Sequence, residues 1–140
     1  VEYLKNQARS YIFSTSLSPV TMAAAIRGLE LLDQEPWRVQ RLSENVAWFC
    51  ECLRRHGLEV SSHSAIVPIF VGDEGRAIEA SERLMEQGIF IPAIRYPTVR
   101  KGGAILRAAL MASHTRQELA GAARAITRAV TAPAVAVPDI

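Results

Sequence analysis

Between Pro36 and His56, apolar residues stand at Val39, Leu42, Val46, Phe49 and Leu53, alternating steps of three and four. That spacing puts one continuous stripe along a single α-helix. Pro36 suits a helix start and Gly57 a left-handed cap at its end. The rest of the chain must be built around this rod. Before it, Ser18 and Pro19 read as N-cap and first turn of another helix, with Met22, Ala25, Ile26, Leu29 and Leu32 at helical spacing and an end near Asp33. Residues 1–10 read as a short helix running into an extended Tyr11-Ile12-Phe13, followed by the hydroxyl-rich Ser14-Thr15-Ser16-Leu17-Ser18.

After Gly57 the pattern changes to short strands alternating with helices. Leu58-Glu59-Val60 and Ile66 to Val71 read as strands, the second confined to a sheet edge by Pro68, which has no N–H to give a ladder. Residues 74–87 read as a helix with Ile78, Leu84 and Met85 inward and Gly88 as its cap. Ile89-Phe90-Ile91 is expected to be a strand, 95–103 a loop, and Ile105 to Met111 a mostly buried strand with Arg107 in its middle. Thr115 and Glu118 have capping-box spacing, and Leu119, Ala122, Ile126 and Val130 carry the last helix.

Composition narrows the function classes. With 140 residues, 49% hydrophobic and 21% charged, the chain is that of a folded globular protein rather than a disordered one. The net charge of +2, its 14 arginines scattered among 2 lysines, gives no nucleic-acid footprint. No apolar run approaches the roughly 20 residues of a membrane span. Cys50 and Cys52 stand two apart on the predicted helix and project in different directions, so a reduced, cytoplasmic protein is expected. The chain opens on Val1 in amphipathic sequence, which leads us to expect further polypeptide upstream.

Few residues invite chemistry. There is no phosphate-binding glycine loop, no His/Cys metal spacing and no nucleophile elbow, and His56, His63 and His114 are far apart in sequence. Arg107, set among apolar residues, demands either a structural carboxylate partner or an anionic ligand. Arg95 reads on spacing alone as a loop arginine. The Ser14-Thr15-Ser16 cluster is either an ordinary capping turn or a phosphate cradle. Lys101, between Arg100 and two glycines, has nothing to lower its pKa toward a reactive amine.

Two stretches in order, RSYIFSTSLSPVTMAAAIRGLELL (9–32) and GIFIPAIRYPTVRKGGAILRAALMASHT (88–115), resemble the C-terminal part of the α-oxoamine synthases, pyridoxal-phosphate enzymes of aminotransferase fold type I. The resemblance extends to about Val130. It implies an α/β fold: residues 1–33 as a remnant of the large cofactor domain, 34–131 as the small C-terminal domain with a few-stranded, mainly antiparallel sheet covered by helices on one face, and 132–140 as a tail. It also implies that Ser14 and Thr15 reach the cofactor phosphate of a neighbouring subunit in a homodimer. Arg107 would hold the carboxylate of the amino-acid substrate, and Arg95 and Thr98 would line the same substrate site, Arg95 pointing to the branch that serves biotin synthesis.

The implied reaction joins an amino acid, alanine, to an acyl-CoA such as pimeloyl-CoA with loss of carbon dioxide. The Schiff-base lysine of the family lies upstream of this segment, so no catalytic residue is expected within the chain and the fragment is inactive alone. Two departures stand out: Arg100 replaces a proline, and Ile105 replaces the first arginine of an Arg-Leu-Arg triplet. Other branches of the family, a small-molecule-binding domain and a dimerisation module built on the 39–53 helix are the competing readings.

Overall fold

The computed structural model describes residues 1–13 and 17–132, and they form two compact units, 1–36 and 37 onward. The first holds α1 (Glu2–Gln7), α2 (Arg9–Ile12) and α3 (Pro19–Gln34). Residues 11–12, expected to be extended, instead complete a helical turn, Ile12 N–H donating to the Ala8 carbonyl. α3 starts as expected, the Ser18 hydroxyl accepting from the Thr21 N–H at 3.2 Å and Pro19 filling the first turn, where a missing N–H costs nothing.

The second unit carries the core. Its elements are α4 (Trp37–Arg55), β1 (Ile66–Gly72), α5 (Glu74–Met85), β2 (Ala93–Ile94), β3 (Ala104–Ala109) and α6 (Arg116–Thr131). The three strands form one antiparallel sheet in the order β1-β3-β2, so Pro68 does lie on an edge strand. Val67 and Ile69 of β1 and Ala104, Leu106 and Ala108 of β3 are buried on one face, packed with Phe49, Leu53, Leu84, Leu119 and Ile126 from the helices. The other face lies open.

α4 ends in the left-handed cap expected of Gly57. Its φ is +86°, and the Leu58 N–H reaches back to the Leu53 carbonyl while the Gly57 N–H reaches that of Arg54. The stripe on α4 is buried only from Asn45 onward, and Val39 is exposed. Cys50 and Cys52 are free thiols, Cys50 buried. α5 starts at Asp73, whose carboxylate accepts from the Arg76 N–H. It turns Ala77, Ala80 and Leu84 inward, whereas Ile78 and Met85, expected in the core, stay exposed because each stands one step, about 100°, past a member of that three-and-four stripe. α6 opens on the predicted capping box, Thr115 N–H donating to Glu118 at 2.7 Å and Glu118 N–H to the Thr115 hydroxyl at 3.2 Å.

Two expected strands are absent from the sheet. Leu58-Glu59-Val60 is irregular, and Ile89-Phe90-Ile91 buries Ile91 without joining a ladder, pairing being confined to Ala93 and Ile94. No helix among the described residues is long and apolar enough to cross a membrane.

Candidate functional site

Of the candidate residues, Arg107 lies on the open face of the sheet, and Arg95 and Thr98 lie in the loop that follows β2. Arg107 lies on the central strand, opposite Pro68 of β1, and its N–H donates to the Pro92 carbonyl at 3.0 Å, on the β2 side. Its side chain is exposed. This corrects the expectation of a mostly buried strand: β3 alternates, and Ile105, Arg107 and Ala109 share the side turned away from the helices. Among the described residues the Arg107 guanidinium makes no hydrogen bond or ion pair, so the structural carboxylate partner weighed from the sequence is not there. An arginine held on a rigid strand with its five donors uncommitted presents a planar fork suited to a carboxylate.

Arg95 follows β2 directly, one step past the Ile94↔Ile105 pair, and begins a tight turn in which its carbonyl accepts from the N–H groups of Thr98 (3.0 Å) and Val99 (3.3 Å). Arg95 and Thr98 are both exposed. The turn therefore holds these two together, beside the strand end that leads to Arg107. The loop closes through Gly103, whose N–H donates to the Arg100 carbonyl at 2.9 Å. A Cβ at Gly103 would stand 3.0 Å from that same oxygen, a tight contact that a side chain here could make only with a small shift of the loop. Lys101 lies 5.4 Å from the centre of the Tyr96 ring, a cation–π contact in solvent. Ser14 and Thr15 lie outside the described residues.

A second concavity, about 640 Å³, opens at the far end of β3 among Phe49, Phe90, Leu110, Met111, Leu119 and Ala122. None of the predicted site residues lines it. Its polar groups are already engaged: His114 Nδ1 accepts from the Met111 N–H at 3.1 Å, and Glu118 serves the capping box. Hydrogen bonds donated by the Thr115 backbone N–H and by its hydroxyl hold the Glu118 carboxyl below the usual range. Beneath this turn sits a residue that sequence reasoning missed. Asn45, buried on α4, donates through Nδ2 to the carbonyls of Met111 (3.1 Å) and His114 (3.0 Å), and its Oδ1 has no partner among the described residues. The signal available for it was a lone amide inside an apolar helical stripe. Among the described residues no three metal-ligating side chains cluster.

Comparison with known proteins gives the family of the chain. Residues 1–126 match the aminotransferase class I and II family. The chain is 46% identical over 125 residues to an 8-amino-7-oxononanoate synthase of Citrifermentans bemidjiense, covering 87% of this chain and 32% of that protein. It thus spans about a third of the length of the curated relatives it matches. Among solved structures it is similar to 8-amino-7-oxononanoate synthase from Francisella tularensis (TM-score 0.76, 33% identity, 92% of this chain and 38% of that one). It is also similar to serine palmitoyltransferase from S. paucimobilis with a bound PLP–myriocin aldimine (TM-score 0.82, 25% identity, 91% and 33%). Both of these are α-oxoamine synthases, which is the group that the two sequence stretches resemble. The chain belongs to the aminotransferase class I and II family, and within it its likeness is to the α-oxoamine synthases.

Proposed function

We propose that the full-length protein containing this chain condenses an amino acid with an acyl-CoA, with alanine and pimeloyl-CoA as substrates, the 8-amino-7-oxononanoate synthase reaction of biotin synthesis. The amino acid's Cα–H bond breaks, its proton passing to a base, and a carbon–carbon bond forms between that Cα and the acyl carbonyl carbon. The thioester C–S bond breaks and coenzyme A leaves as the thiol. The Cα–carboxylate bond breaks to release carbon dioxide, and a proton takes its place. Pyridoxal phosphate, when bound, supplies the electron sink for this chemistry.

The chain's own residues do the holding. The observation that carries the reading is Arg107: an exposed guanidinium, unpaired among the described residues, on the central strand of the sheet, matched in chemistry to the substrate carboxylate. Arg95 and Thr98, joined in the turn that follows β2, would extend the substrate site. Ser14 and Thr15 would donate their hydroxyls to the cofactor phosphate of the partner subunit in a homodimer, acceptor oxygens being what such donors suit. Neither of the chain's two lysines is placed for a Schiff base, since Lys5 is ion-paired to Glu2 at 2.8 Å and Lys101 stands over Tyr96. The reactive lysine therefore comes from elsewhere in the full-length protein, and this chain alone is inactive. Residues 1–33 belong to the large domain and 34–131 to the small one, a division supported by the compact-unit boundary at Pro36. A cytoplasmic location is supported by the two free thiols.

Arg107→Lys in the full-length enzyme tests this. Charge is kept and the planar fork lost, so transition-state stabilisation should fall by about 2 to 4 kcal/mol, read mainly as a raised KM for the amino acid. Because the side chain is exposed, the melting midpoint should hardly move. Unchanged amino-acid kinetics would end the assignment.

A further inference from the structure

The open face of the sheet is not polar around Arg107. In the ladder Phe70 stands opposite Ile105, and Ile94 stands opposite Ile105 from the other side, so the three residues stand in one cross-strand row on the face that carries Arg107, with the Phe70 ring leaning along β1 toward Gly72. Phe70 is 61% exposed although it is a large aromatic, and Ile94 and Ile105 are only half-buried. Ile105 and Arg107 are two residues apart on one strand, about 7 Å, and three adjacent strands span roughly 10 Å. Arg107 thus borders an apolar row about 10 Å wide. An apolar row beside an unpaired guanidinium matches a ligand with a carboxylate at one end of an aliphatic stretch.

We infer that Phe70, Ile105 and Ile94 form the platform on which the methylene chain of the acyl donor lies, and so set which acyl chain is accepted. The inference rests on Arg107 holding the amino-acid carboxylate. That carboxylate is bonded to the Cα that attacks the acyl carbonyl, so the acyl chain begins within two bonds of the anchored group and must run out along the neighbouring surface. Alanine's methyl group needs one contact, whereas a row of three side chains across about 10 Å matches a run of several methylenes. The platform residues are specificity determinants and take no part in bond making.

The test uses the full-length enzyme and a series of straight-chain acyl-CoAs with alanine fixed, comparing the parent with Ile105→Asn, Phe70→Ala and Arg107→Lys. In the parent each added methylene should lower the acyl-CoA KM by about fourfold. In Ile105→Asn and Phe70→Ala that dependence should fall below about twofold per methylene, with the KM for alanine within about twofold of the parent. Chain-length dependence unchanged in both variants, or absent in the parent, overturns the platform, and a raised alanine KM in Arg107→Lys in the same experiment shows that the carboxylate anchor itself stands. If Arg107→Lys leaves the alanine KM alone, anchor and platform fall together. A large drop in melting midpoint in both platform variants with chain-length dependence intact also overturns the inference, because the face is then covered by the polypeptide itself.

Discussion

Single side chains decide how the turn at 111–114 is held. Asn45 spends both N–H groups of its amide on the carbonyls of Met111 and His114, which ties α4 to the start of α6 across a long stretch of sequence. Asn45→Ala removes the side-chain donor that both carbonyls share, so the 140-residue chain should lose about 1 to 3 kcal/mol in urea unfolding with an unchanged m-value. Cys50 shows the opposite economy. Burial raises its thiol pKa, outweighing the nearby Arg54 charge and a hydrogen bond from the Ser62 backbone, and the neutral thiol packs as a small hydrophobe. Arg107 was legible as an exception in its strand, yet its exposure was not. Ile105 and Ala109 are apolar and sit on the open face, so the sequence lacks the polar alternation that marks a half-buried strand.

Among the elements, helices announce themselves and short strands do not. α3, α5 and α6 each begin where Ser18, Asp73 and Thr115 supply a side-chain acceptor, a local interaction that the sequence displays directly. Whether Leu58-Glu59-Val60 or Ile89-Phe90-Ile91 becomes a strand depends instead on a distant partner, and β3 spends its β2-side pairing on Ala93 and Ile94. The capping box of α6 also carries a pH signature. The Glu118 carboxyl is held below its usual range in the folded chain, so its contribution is present above about pH 4.3 and is lost as pH falls through the lower folded value. Glu118→Gln should therefore melt earlier than the parent at pH 7, and the two melting curves should converge under acid. A gap that persists at low pH would place the effect elsewhere.

For the molecule as a whole, the shared cofactor site remains the farthest-reaching expectation, and it depends on two hydroxyls outside the described residues. Thr15→Val in the full-length protein should weaken retention of pyridoxal phosphate, followed by its absorbance after dialysis, while the fold and dimer persist. Normal retention would count against a site completed by the partner. The edge strand bears on the molecule's behaviour in a crowded solution. Because the Arg107 N–H turns to Pro92, the Pro68↔Arg107 pair is one in which β1 directs its backbone groups outward, and the missing proline N–H falls on the free rim of the sheet rather than in its ladder. A foreign strand laid along β1 would find its row of donors broken in the middle. One residue thus leaves the native pairing whole and guards the sheet against open-ended growth into aggregates.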